Sequence, residues 1–204
     1  NQVGGVTGLD GPDSAVVSPD GGQLYVDSAN DVSVVLLARK TQTGELLFQG
    51  ENVYGSMRYG GTNAAAIDIA LDGENVYAVS SAENSLTVFA RDPSLGGLTL
   101  LEQHFDGMDG VDGLGYARSV AVSPDGRNVY VGGRDDNGIA VFSRSDFTGR
   151  LTFVELIQDG VGGVDGLGNI HTVTVSPDDD HVYATGGVDD AVAVFERSAV
   201  TGEL

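Results

Sequence analysis

Three aspartates set three residues apart, each followed by glycine, stand in Asp106-Gly107-Met108-Asp109-Gly110-Val111-Asp112-Gly113. Calcium takes roughly six to eight hard oxygens, and a glycine-rich backbone can bend to offer carbonyls beside carboxylates. The segment is therefore a candidate calcium site. A related stretch, Asp159-Gly160-Val161-Gly162-Gly163-Val164-Asp165-Gly166, adds Asp159 and Asp165 to the metal candidates Asp106, Asp109 and Asp112. The spacing is not that of an EF-hand loop, whose acids alternate and which closes on a glutamate. The plainer alternative is that Asp-Gly pairs make tight turns. The matching stretch Glu51-Asn52-Val53-Tyr54-Gly55-Ser56-Met57-Arg58 lacks the aspartates, so a metal required by every copy is not expected.

A second set of candidates emerges when the chain is aligned on itself. Ser123-Pro124-Asp125-Gly126-Arg127-Asn128-Val129-Tyr130-Val131 recurs as Ser18-Pro19-Asp20-Gly21-Gly22-Gln23-Leu24-Tyr25-Val26 and as Ser176-Pro177-Asp178-Asp179-Asp180-His181-Val182-Tyr183-Ala184. Ala70-Leu71-Asp72-Gly73-Glu74-Asn75-Val76-Tyr77-Ala78 is a worn copy. The tyrosines Tyr25, Tyr77, Tyr130 and Tyr183 are spaced 52, 53 and 53 residues apart, and a fixed period of this length marks a repeat architecture. Five positions upstream of Ser18, Ala70, Ser123 and Ser176 stand Asp13, Ala65, Arg118 and His171. A carboxylate, a guanidinium and an imidazole around one opening could bind a small anionic or sugar-like ligand. They could also support general acid–base hydrolysis, which needs a base within hydrogen-bond reach of its proton. The structural alternative is that polar side chains at these positions simply meet a water-filled channel.

The elements that must position these residues are short β-strands. In the third copy Arg118-Ser119-Val120-Ala121-Val122 alternates and stops at the Ser-Pro-Asp-Gly turn. Asn128–Val131, Ile139–Arg144 and Leu151–Leu156 follow, separated by Arg134-Asp135-Asp136-Asn137-Gly138 and by Thr148-Gly149. No stretch carries the period of an amphipathic helix. Four antiparallel strands per repeat with a glycine-rich link between repeats is the sequence form of a β-propeller blade. A β-sandwich would also suit regularly spaced strands, but gives no reason for near-identical turns at a fixed period. The fold class expected is all-β: a partial β-propeller domain over residues 1–204, with repeats near 1–51, 52–105, 106–158 and 159–204. The innermost strand of each blade lines the channel, which brings Asp13, Arg118 and His171 to its mouth.

Antiparallel alternation also sorts the charges. The links and the turns between second and third strands emerge on one face, which gathers the metal candidates with Asp31, Asp135, Asp136, Asp189 and Asp190. The opposite face collects Arg39, Lys40, Arg91, Arg127, Arg144, Arg150 and Arg197 among further acids. His104 and His181 fall at a strand end and a hairpin turn, where solvent exposure is expected.

The Ser-Pro-Asp-Gly-x-x-Val-Tyr-Val, Val-x-Val-Phe-x-Arg and Thr-Gly-x-Leu-Thr-Phe elements resemble the repeats of the lactonase-like β-propeller family, which includes 6-phosphogluconolactonase and YVTN-type surface proteins. The resemblance covers the whole chain and implies a seven-bladed ring, of which four repeats are present. It also implies a histidine ahead of the inner strand, often in a Pro-His pair. His171 in Asn169-Ile170-His171 matches that histidine without the proline.

Ten basic residues against thirty acidic ones give a net charge of -20. That excludes nucleic acid as a partner, because such binding rests on phosphate neutralisation by Lys and Arg. It also opposes anionic membranes, and no run approaches the roughly 18 apolar residues of a spanning helix. There are no cysteines, so disulfides, thiolate metal sites and Cys nucleophiles are absent. A secreted, periplasmic or cell-surface location is the expectation. The chain opens at Asn1 without a signal peptide and closes at Leu204, where a fourth strand should begin. An open blade edge is therefore expected, to be covered by further sequence, a protein partner or a second copy. Repetition of turn and core residues favours a scaffold or binding module, stiffened by calcium, over an enzyme. The alternative is a lactonase-like hydrolase fragment with His171 and Arg118 at its channel mouth.

Overall fold

The computed structural model describes residues 6–31, 33–53 and 64–204, so the stretch from Tyr54 to Arg58 lies outside the described residues. Every described regular element is a strand. Blade 1 comprises β1 (Pro12–Val17), β2 (Gln23–Ser28), β3 (Ser33–Arg39) and β4 (Leu46–Val53). Blade 2 comprises β5 (Ala64–Ile69), β6 (Asn75–Ser80), β7 (Ser85–Arg91) and β8 (Leu98–Phe105). Blade 3 comprises β9 (Ala117–Val122), β10 (Asn128–Gly133), β11 (Gly138–Arg144) and β12 (Leu151–Gln158). Blade 4 has three strands, β13 (Ile170–Val175), β14 (His181–Gly186) and β15 (Ala191–Glu196). Each blade is a purely antiparallel meander in chain order. The sandwich alternative is thereby removed, since the sheets are separate antiparallel units, three of four strands and one of three, at the repeat period.

The repeated turn explains itself chemically. Gly21, Gly73 and Gly126 take positive φ and donate to the carbonyls of Ser18, Ala70 and Ser123 at 2.8 Å each. Ser18 Oγ donates to Asp20 Oδ1 at 2.6 Å, and that carboxylate accepts from Gly22 N at 2.9 Å. Ser123 and Asp125 repeat the pair at 2.7 Å. In the fourth copy Asp179 holds the left-handed position instead of glycine, which aspartate tolerates better than most residues.

The core lies in the seams between blades. One cluster joins Tyr25 and Leu36 of blade 1 to Ile67, Val76 and Phe89 of blade 2. A second joins Tyr77 and Val88 to Val129 and Phe142, and a third joins Tyr130 and Val141 to Val173 and Val182. Tyr25, Tyr77 and Tyr130 are fully buried.

The arginines of the Val-x-Val-Phe-x-Arg elements are not surface residues of the hairpin face: Arg91, Arg144 and Arg197 are buried in these seams. Each reaches back one blade. Arg91 pairs with Asp20 at 2.8 Å, and its Nε donates to the Tyr25 hydroxyl at 2.7 Å. Arg144 pairs with Asp72 at 2.7 Å and donates to Asn75 Oδ1 at 2.7 Å. Arg197 pairs with Asp125 at 2.9 Å, with its Nε on the Tyr130 hydroxyl at 2.8 Å. In the middle seam Tyr77 and Arg144 influence each other electrostatically, but the Tyr77 hydroxyl and Arg144 Nε make no well-formed hydrogen bond. The turns between third and fourth strands close the same seams: the Tyr25 hydroxyl donates to Gly96 O at 2.7 Å and that of Tyr130 to Gly202 O of the Thr201-Gly202 turn at 2.9 Å.

Candidate functional site at the channel mouth

The innermost strands β1, β5, β9 and β13 stand side by side around the channel. Side chains tie them to one another. Ser119 Oγ accepts from Val173 N at 3.0 Å, and half-buried Asp68 accepts from Val122 N at 2.8 Å. Burial pushes the Asp68 carboxyl above the usual carboxylate range, against the pull of the Val122 and Ile69 N–H groups that donate to it.

Every inner strand breaks register at the same place. Pro12 and Ser14 pair with Ser28 and Asp27, so Asp13 is skipped. Ala65, Arg118 and His171 are skipped in the same way in blades 2, 3 and 4. A β-bulge re-aims its extra residue, and bulges are over-represented beside active sites. The three candidates taken from the repeat alignment are thus bulge residues, brought together in one cavity. That cavity has a volume of about 540 Å³ and is lined by Asp13, Arg118 and His171 with Ser14, Tyr116, Ser119 and Thr172 among others. Among the described residues, Arg118 and His171 make no hydrogen bond or ion pair with the protein.

One lining residue was not foreseen. Tyr116 adopts φ +50, where Gly11 and Asn169 occupy the matching positions of blades 1 and 4. Glycine and asparagine enter this region readily, but a bulky aromatic there costs on the order of 1–3 kcal/mol. The Arg134 guanidinium sits over the Tyr116 ring, 4.9 Å from its centroid, and its Nε donates to Asn169 Oδ1. The signal was present in the alignment as a tyrosine in a glycine or asparagine column.

The acidic links occupy the face that the strand alternation assigns to them. Asp106 and Asp112 converge with Asp136, and Asp159 and Asp165 converge with Asp189, each set with carboxylate oxygens within 4.8 Å of one another. Asp109 is not in its cluster; it takes φ +52 in the turn. The missed members, Asp136 and Asp189, come from the turns between second and third strands. Burial first, then the charges of Asp106 and Asp112, pushes the Asp136 carboxyl up. These acids also brace the links: Asp136 Oδ2 accepts from Gly115 N at 2.6 Å and Asp106 Oδ1 from Leu114 N at 2.9 Å. Asp189 and Asp159 repeat both bonds one blade on.

His104 departs from the expectation of exposure. It lies half-buried against Phe142, ring centroids 5.5 Å apart, and contacts Glu102 at 3.2 Å. Glu102 bridges on to Arg150 and to Leu151 N, so the cluster seals the second seam.

Residues 5–155 and 105–204 match the family model described as "Lactonase, 7-bladed beta-propeller". A comparison with curated proteins gives no match. Among solved structures, a candidate 6-phosphogluconolactonase from Bacteroides uniformis superposes with a TM-score of 0.77 at 18% identity, covering 95% of this chain and 52% of that one. The corresponding protein of Bacteroides fragilis gives 0.76, 18%, 95% and 52%. The periplasmic gluconolactonase of Pseudomonas aeruginosa gives 0.56 at 18% identity, over 96% of this chain and 68% of that one. The chain thus spans about half the length of the first two structures, and at these identities they establish the fold alone. With the family model matched along nearly its whole length, the chain belongs to the lactonase family of seven-bladed β-propellers.

Proposed function

We propose that the channel mouth binds a sugar-derived lactone or its acid and that the complete propeller hydrolyses the lactone. The observation that carries this reading is the ring of bulges, which aims Asp13, Arg118 and His171 into one cavity. The Arg118 guanidinium, which makes no hydrogen bond or ion pair among the described residues, forms a cationic spot on a chain of net charge -20. Such a spot attracts an anionic group in a field that otherwise repels it. In the hydrolysis, neutral His171 would take a proton from water as its oxygen attacks the lactone carbonyl. The ring carbon–oxygen bond breaks, the proton goes to the leaving ring oxygen, and the product is the open hydroxy acid. Arg118 would hold the substrate's anionic group or the developing oxyanion. The names of the structural neighbours, a 6-phosphogluconolactonase and a gluconolactonase, agree with this chemistry.

Calorimetry with 6-phosphogluconate and gluconate is the direct test. Arg118→Ala and His171→Ala should each weaken binding about tenfold or more, the loss of roughly one charge-assisted contact. Unchanged affinity in both variants would remove the reading.

A calcium-stabilised binding module, outside or on the surface of the cell, is the second reading. It is favoured by the recurrence of one three-carboxylate arrangement in consecutive links. Thermal unfolding with and without calcium tests it: Asp112→Asn with Asp165→Asn should abolish any calcium-dependent rise.

A further inference from the structure

We propose that Tyr116 is the specificity-determining wall of the channel mouth: its ring stacks on the closed ring of a sugar lactone and so favours that form over the open hydroxy acid. This rests on the lactone reading of the same cavity and adds the group that tells a ring from an open chain.

The fold asks only for a left-handed backbone at this position. Gly11, Tyr116 and Asn169 supply it in blades 1, 3 and 4, with φ +71, +50 and +55. Their carbonyls accept from the turn after the second strand in each blade: from Ala29 N at 2.8 Å, Arg134 N at 3.3 Å and Gly187 N at 3.1 Å. Tyr116 N donates to Asn84 Oδ1 of blade 2 at 2.8 Å, as Asn169 N does to Asn137 Oδ1 of blade 3 at 2.7 Å. Glycine and asparagine thus make the same bonds without a ring and without its strain. An aromatic residue that the backbone resists, standing where the architecture does not need one, points to use of the side chain. Blade 3 packs against blade 2 on one side and blade 4 on the other, so both seams beside Tyr116 are formed.

The ring's use follows from what surrounds it. Tyr116 lines the cavity with the apolar residues Ala66, Ile67 and Val120, while Arg118 and His171 supply polar groups. Arg134 does not line the cavity. Its guanidinium lies over the ring, 4.9 Å from the centroid, and is held in turn by Asn169 Oδ1, so the ring is braced from behind. Apolar and aromatic walls with a few polar groups are the make-up of a small-ligand pocket. A closed sugar ring presents a compact patch of C–H groups, which packs on the negative face of an aromatic ring. The open acid has no such patch, and holding its freely rotating chain against a flat surface costs entropy. Arg118 selects in the opposite sense, because it reads the carboxylate that ring opening creates.

Calorimetry on the whole chain tests this with two probes: glucono-1,5-lactam, a stable cyclic stand-in for the lactone, and gluconate, the open acid. Tyr116→Asn, which installs the residue of blade 4, should weaken the lactam about tenfold and gluconate less than about threefold, the scale of one lost aromatic contact. Tyr116→Phe, which returns the ring, should restore the lactam affinity. Arg134→Met should lower the lactam-to-gluconate affinity ratio by a smaller factor than Tyr116→Asn. The urea midpoint of Tyr116→Asn should hold or rise as the strain is relieved. A lower midpoint would make the ring a structural brace and overturn the proposal, as would parallel losses of lactam and gluconate. Arg118→Ala separates the two readings of the cavity. Gluconate weakened by Arg118→Ala, with the lactam indifferent to Tyr116→Asn, overturns the Tyr116 contact and leaves the anion site standing. The reverse pattern supports the contact and removes the anion role of Arg118, and binding of neither probe to the unaltered chain overturns both.

Discussion

Arg144 and Arg118 belong to the same blade, and their surroundings are opposite. Arg144 is buried in the seam, with Asp72, Asn75 and Gly126 O around its guanidinium. Arg118 is carried by a bulge into an open cavity and meets no protein acceptor among the described residues. A buried cation has to be paired or its desolvation is uncompensated. An unpaired one at a water-filled mouth costs little and stays available to a ligand. The contrast separates charges spent on the fold from charges left for chemistry, in a chain too acidic for its overall field to distinguish them.

The largest effect should follow from breaking the seam. Arg144→Met leaves Asp72 and Asn75 without their partner, and removing one member of a buried pair costs about 3–5 kcal/mol. Asp72 is partly exposed, so about 3 kcal/mol is expected in urea unfolding. Arg118→Met should move stability by less than about 0.5 kcal/mol, as for a surface change without fixed partners. Equal costs in the two variants would break the distinction.

A smaller effect contrasts a closed seam with an open blade face. Gly149 has φ +68, and a Cβ there would stand 2.1 Å from Asn75 Oδ1 across the seam. Gly44 is the same residue of blade 1, with φ +72 and nothing within 4 Å. Both alanine variants carry the left-handed strain of about 1–2 kcal/mol, but only Gly149→Ala must also displace Asn75 from Arg144. Gly149→Ala should therefore cost about 1 kcal/mol more than Gly44→Ala, the worth of a displaced hydrogen bond. Equal unfolding midpoints would mean that the Thr-Gly turn does not press on the preceding blade.

The repeat made the blades legible because turn residues and alternating apolar positions are local properties, written at a fixed period. It also located Asp13, Arg118 and His171, since a position that varies against a constant frame stands out. The seam clamps were not legible. Arg91, Arg144 and Arg197 look like surface charges ending polar-flanked strands, and only the approach of a neighbouring blade buries them. The acid clusters were half legible for the same reason. Asp106 and Asp112 announce themselves in one link, but Asp136 joins them from another turn, and Asp109 is turned out of the cluster by a backbone conformation. His104 followed the same pattern, hidden by Phe142 of the next blade.

The smallest effect is a pH dependence belonging to the seams. The Asp20 carboxyl is lowered from 3.8 to about 2, first by the Ser18 hydroxyl, then by Gly22 N–H and by Arg91. Because the folded value lies below the unfolded one, this carboxylate stabilises the fold above about pH 4, and the contribution is lost as pH falls through about 2. Asp20→Asn should therefore lower stability slightly at neutral pH and flatten the acid limb between those values. Half of the Asp20 side chain is exposed, so solvent screening keeps the effect below that of Arg144→Met. Arg118→Ala should leave the slope of this limb unchanged, because no seam carboxylate depends on it. Thermal unfolding at successive pH values reads both variants. A limb flattened equally by Arg118→Ala would place the acid sensitivity at the channel mouth and erase the division between the two arginines.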